Sequence, residues 1–198
     1  MQLGVNNLRE HAGLDSYYAT CHGLENGLAN VVEATPASKR KPVYLIKTGQ
    51  GGSVIAQWQP TASTGYWETL RKRIEAGRRQ LPANPQWVVW LSLGINDGIA
   101  GTSVVTWKQD TLVLVQRLKM ELPGSVIIMT QFQAMKAYPQ IDSAIREISA
   151  QEPNVYAVDS TGTSLRDANH WDYAGLNSMA QKMSVATRKA LDAQATHR

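Results

Sequence analysis

Apolar runs alternate with helical stripes along the chain. The run "PVYLIKTG" (residues 42–49) predicts a short buried strand ending in glycine, and "QWVVWLSLG" (86–94) a second strand. The second run is apolar nearly throughout, as expected of a parallel strand covered on both faces. "SVIIMTQF" (125–132) predicts a third strand and "NVYAVDST" (154–161) a shorter fourth.

Between them the period changes to that of a helix. Trp67, Leu70, Ile74 and Leu81 mark one over 65–81, and Val105, Leu112, Val115, Leu118 and Leu122 another over 104–122, stopped by Pro123-Gly124. Ile141, Ile145 and Ile148 mark a third over 138–153, and Leu176, Met179, Met183 and Leu191 a last one over 173–192. "GLENGLANVVEA" (23–34) reads as a helix feeding the first strand. Stripes of this kind form core. Strands alternating with helices predict an α/β fold, a three-layer α/β/α sandwich on a mostly parallel sheet. No repeat, low-complexity tract or linker divides the 198 residues, so a single domain over 1–198 is expected, with an irregular N-terminal segment at 1–21.

Composition narrows the class. The chain is 43% hydrophobic, enough for a sizeable core. No run approaches the ~18 apolar residues of a membrane span, and the start lacks the basic-then-apolar layout of a signal peptide. Both features imply a soluble protein without a membrane partner. The net charge of +4 is spread, with short basic runs at "SKRKP" (38–42) and "LRKRIEAGRR" (70–79). The second lies on a helical pattern as a solvated face, and no recognition motif accompanies it, so no nucleic-acid partner is expected. The lone Cys21 permits neither an internal disulfide nor a cysteine-based zinc site.

Ligands of open parallel sheets bind beyond the carboxyl ends of the strands. Three polar segments fall there: "GQGGS" (49–53), "GINDG" (94–98) and "RDANHW" (166–171). Each alone reads as an ordinary turn; three on one edge read as a site. Asp167 and His170, three apart, suit a carboxylate that orients an imidazole base, with the other ring nitrogen left for a nucleophile. His170 alone could equally be a helix-capping residue. The "GGS" amides and the Asn96 side chain are of the kind that stabilises an oxyanion. Ser53 reads as part of its loop.

These segments resemble three of the four sequence blocks of the SGNH (GDSL-type) hydrolases: the G-x-N-D block, the glycine block and the D-x-x-H pair. The stretch "HGLENGLANVVEATPASKRKPVYLIKTGQGGSVIAQW" is similar to the sialate O-acetylesterase and acetyl-xylan esterase group of carbohydrate esterases, although "WLSLGIND" has the general SGNH form. The resemblance implies His170 as base, Asp167 as its orienting acid, and Asn96 with Gly52 (or the adjacent Gly51) as oxyanion donors. Asp97 would brace its loop. Trp58 and Trp171 would either line a sugar surface or pack in the core. The implied reaction is serine-type removal of O-acetyl or similar short acyl groups from an acylated carbohydrate, with no metal and no organic cofactor.

The block that carries the family's nucleophilic serine is not recognisable. Ser16, in "AGLDSYY", is the sole serine ahead of "GLENGLA", and its surroundings are too polar for the end of a buried strand. Three readings follow. The chain is a fragment, or Ser16 serves in a degenerate block, or the domain is a non-catalytic carbohydrate-binding or assembly module. A missing first strand would leave a sheet edge to be covered by a partner segment or an oligomer.

Overall fold

Three runs of β-branched and aliphatic residues form a parallel sheet in the computed structural model, which describes residues 23–25, 27–28, 42–135 and 138–196. β1 (Val88–Leu91) pairs with β2 (Val126–Thr130) in the register Val88↔Val126. β2 pairs in turn with β3 (Val155–Val158), Ile127 opposite Val155. The order is β1-β2-β3. β2 lies in the middle and is buried at every position.

Side chains alternate between two cores, as a period of two requires. Val89, Leu91, Ile127, Met129, Val155 and Ala157 face one, and Val88, Trp90, Val126, Ile128, Tyr156 and Val158 the other. The first core is closed by a single-turn 3-10 helix (Ile55–Trp58) and by α1 (Tyr66–Arg78), α3 (Val104–Glu121) and α4 (Pro139–Gln151). The second is closed by α5 (Tyr173–Thr196) through Met179, Met183 and Ala190. The result is an α/β fold in three layers.

Parallel strands need crossovers, and local chemistry sets where these begin. Ser103 caps α3 by accepting the Thr106 N–H at 3.1 Å. Pro139 opens α4, where its missing N–H costs nothing. Among the described residues no helix is long and apolar enough to cross a membrane.

Three expectations need correction. Residues 42–49 are not a strand: they are irregular, with Val43, Tyr44 and Leu45 about half exposed. β1 has no second partner among the described residues, so this run has no ladder to join. It lies instead beside α1, with Ile46 against Gly77 and the Lys47 carbonyl accepting from Arg73 at 3.0 Å. Within α3, Val105 is 63% exposed and Trp107 is fully buried in its place. "GINDG" forms a short helix, α2 (Ile95–Ala100), where a turn was expected. Of the helix expected over 23–34, Leu24, Glu25, Gly27 and Leu28 are helical and the rest lies outside the described residues.

Candidate active site

Because the strands are parallel, their carboxyl ends share one edge. β1 leaves the sheet at Leu91 and turns sharply at Gly94 into α2. Gly94 has φ +143°, and a Cβ there would sit 3.0 Å from Ile141 Cγ2 and 3.1 Å from Phe132 Cε2. Only glycine satisfies both the dihedral and the packing. The turn puts half-buried Asn96 in the first turn of α2 and drives Asp97 inward, where it is fully buried.

Asp97 holds a second segment of the edge. Both of its carboxylate oxygens accept the Ile55 N–H, each at 3.1 Å, at the start of the 3-10 helix. Burial pushes its pKa up, and the Ile55 N–H and the Thr102 hydroxyl work against that rise. The "GQGGS" loop is thereby carried beside α2. Gly52 has φ +74°, and both Gly51 and Gly52 are exposed. Ser53 is 2% exposed, donating to the Gln50 carbonyl at 2.8 Å and accepting from Trp58 Nε1 at 3.0 Å.

The third segment is a small hairpin after β3. β4 (Leu165–Asp167) runs antiparallel to β5 (His170–Trp171), with Asp167 opposite His170 across a two-residue connection. His170 Nδ1 lies 2.8 Å from Asp167 Oδ1 and 3.0 Å from Oδ2. The Asn169 N–H adds a further bond to Oδ1 at 2.9 Å. That N–H first, then the imidazole, hold the Asp167 carboxyl down at about 2. An ionised carboxylate only accepts, so Nδ1 is the donor of the pair and Nε2 is the ring nitrogen left facing away from it. The Tyr138 hydroxyl donates to Asn169 Oδ1 at 3.1 Å, and a Cβ on Gly98 of α2 would run into the Tyr138 ring.

Two bridges therefore join the three segments: Asp97 with Ile55, and Tyr138 with Gly98 and Asn169. Residues 6–189 match the sequence profile of a carbohydrate esterase family, described as sialic acid-specific acetylesterase. The chain belongs to that family. Among solved structures it is similar to a protein from Arabidopsis thaliana, with a TM-score of 0.60 and 20% identity over 70% of this chain. That alignment spans 58% of the Arabidopsis chain, and at this identity it bears on the fold alone. No curated protein sequence matches significantly.

Within this acetylesterase-family chain, the remaining candidates are placed as follows. Trp58 is 4% exposed, tilted against Tyr66 with ring centroids 5.3 Å apart, and so packs in the core beneath the "GGS" loop. Trp171 is half-buried; its Nε1 donates to Thr163 Oγ1 at 2.8 Å and its ring stacks on Phe132 at 6.4 Å. Ser16 lies outside the described residues. Tyr138 escaped the sequence reading, since its only local signal is a tyrosine one residue ahead of a helix-opening proline.

Proposed function

We propose that this acetylesterase-family chain removes O-acetyl groups from carbohydrate by a serine-type route. The observation that carries the reading is the Asp167–His170 pair, with Nδ1 held at 2.8 and 3.0 Å from the two carboxylate oxygens. His170 Nε2 would accept the proton of a serine hydroxyl as the serine oxygen attacks the acetyl carbonyl carbon. The negative charge on the former carbonyl oxygen would be met by the Asn96 side-chain amide and the Gly52 N–H. Collapse of the tetrahedral intermediate expels the sugar oxygen, which takes the proton from His170. Water, activated by the same imidazole, then releases acetate and restores the serine. Asp167 fixes the tautomer and steadies the imidazolium throughout, keeping its own negative charge.

Ser16 is the proposed nucleophile. The test compares hydrolysis of an aryl acetate, then of an O-acetylated sialic acid, by the wild-type chain and by His170→Ala. Loss of turnover in the variant supports the reading, and equal rates overturn it. Labelling with a fluorophosphonate and mapping the peptide tests the serine: a label on Ser16 supports the assignment and a label elsewhere overturns it. An unlabelled chain with no turnover favours a carbohydrate-binding module.

A further inference from the structure

We infer that Tyr138 is a positioning residue, holding the Asp167–His170 hairpin in fixed register with the helix that carries Asn96. The inference rests on the esterase reading for its consequence in catalysis, and on geometry for the rest.

Tyr138 is anchored before it reaches the site. It directly precedes Pro139, whose ring restricts the residue ahead of it. Its carbonyl accepts the Asp142 N–H at 3.2 Å. Asp142 in turn ties α4 to the exit of β2, accepting the Phe132 N–H at 2.5 Å. The tyrosine thus projects from a fixed base. Its ring lies in the space left by the missing side chain of Gly98, two residues beyond Asn96. Its hydroxyl reaches the hairpin connection at Asn169 Oδ1.

From there a chain of donors leads to the base. The Tyr138 O–H holds the Asn169 side chain, the Asn169 N–H binds Asp167 Oδ1, and that same oxygen takes the His170 Nδ1 proton. The hairpin itself is thin: β4 and β5 have three and two residues, and both Asp167 and His170 are exposed. Two residue pairs and a bulge make a hairpin that depends on contacts outside itself for its position. Asp97 joins α2 to the "GGS" loop, and Leu165 and Trp171 seat the foot of the hairpin on the core; Tyr138 adds the tie between α2 and the hairpin's tip, where Asn169 stands beside the base. Catalysis is sensitive to displacements on the order of 1 Å in such alignments.

The experiment is residue-resolved hydrogen exchange on the wild type and Tyr138→Phe, read at the Asn169 amide and, as a control for the fold, at Ile127 in β2. The phenylalanine keeps the ring against Gly98 and removes only the hydroxyl. Asn169 is expected to exchange about fivefold faster, the scale of one neutral hydrogen bond, with Ile127 unchanged. An unchanged Asn169 rate overturns the inference, because a ring that merely packs would be indifferent to the hydroxyl. Should Ile127 also lose protection, Asn169→Ala decides, since it removes the acceptor and keeps the amide: a similar rise supports the inference and none overturns it. With an aryl acetate, Tyr138→Phe is expected to lower kcat about three- to tenfold at unchanged KM. If kcat stays at the wild-type value, the positioning role is overturned. A wild type no faster than His170→Ala overturns the esterase reading instead, and the exchange rates still decide the role of Tyr138.

Discussion

Asp97→Ala removes the acceptor on which the start of the 3-10 helix depends. Ile55 is fully buried, so water cannot replace the two carboxylate contacts at 3.1 Å. An unsatisfied buried N–H costs roughly 1–3 kcal/mol, so a loss of about 2 kcal/mol is expected. In a domain of this size that lowers Tm by about 4–8 °C. Asp97→Asn keeps an oxygen in place and removes a buried charge, so it should lie within ~1 kcal/mol of wild type. Urea unfolding of the three proteins measures this, with the midpoint shifting and the m-value unchanged. The comparison also has a pH signature. The folded pKa of Asp97 is raised, so its ionisation opposes folding. Wild-type stability from this group is full below the ordinary carboxylate value and falls as pH rises through the folded one. Asp97→Asn lacks that fall and gains on the wild type across the same window. Equal stability of the alanine and asparagine variants would refute the reasoning, since the Ile55 N–H would then need no acceptor.

Gly94→Ala combines a forbidden φ with contacts near 3.0 Å to Ile141 and Phe132, and should cost at least ~1–3 kcal/mol by thermal or urea unfolding. Asp167→Asn leaves the hairpin geometry but disturbs the tautomer of His170; turnover of an aryl acetate should fall by about a thousandfold or more. Asp167 is held at about 2, so ¹³C titration of its carboxyl should show ionisation persisting well below the ordinary carboxylate value. Its favourable contribution is full above that ordinary value and is lost as pH falls through about 2.

Much of the scaffold was legible because burial on both faces leaves an unbroken apolar run. "SVIIMTQF" announced the fully buried β2, and Ile141, Ile145 and Ile148 marked the face α4 turns inward. What failed depended on partners distant in sequence. "VYLI" at 43–46 has the composition of a strand, yet a strand exists only where a neighbour supplies the ladder. Val105 and Trp107 both sit in the first turn of α3, and the nearby Gly94 turn, not local hydrophobicity, makes room for the indole. The site divides in the same way. The Asp167–His170 pair is local and readable from its spacing. The Asp97–Ile55 bond spans 42 positions and the Tyr138–Asn169 bond 31, and neither residue type advertises its partner.

The hairpin that bears Asp167 and His170 has a mechanical consequence. Because the carboxylate and the imidazole face each other across a two-residue connection, they form a self-contained cartridge. Any swing of that connection carries both together, so the ring keeps its tautomer while its aim changes. Loops around such a unit can be rebuilt or displaced without disturbing the bond between carboxylate and imidazole. On the serine-type route proposed above, the quantity left to vary is one distance, from Nε2 to the serine hydroxyl.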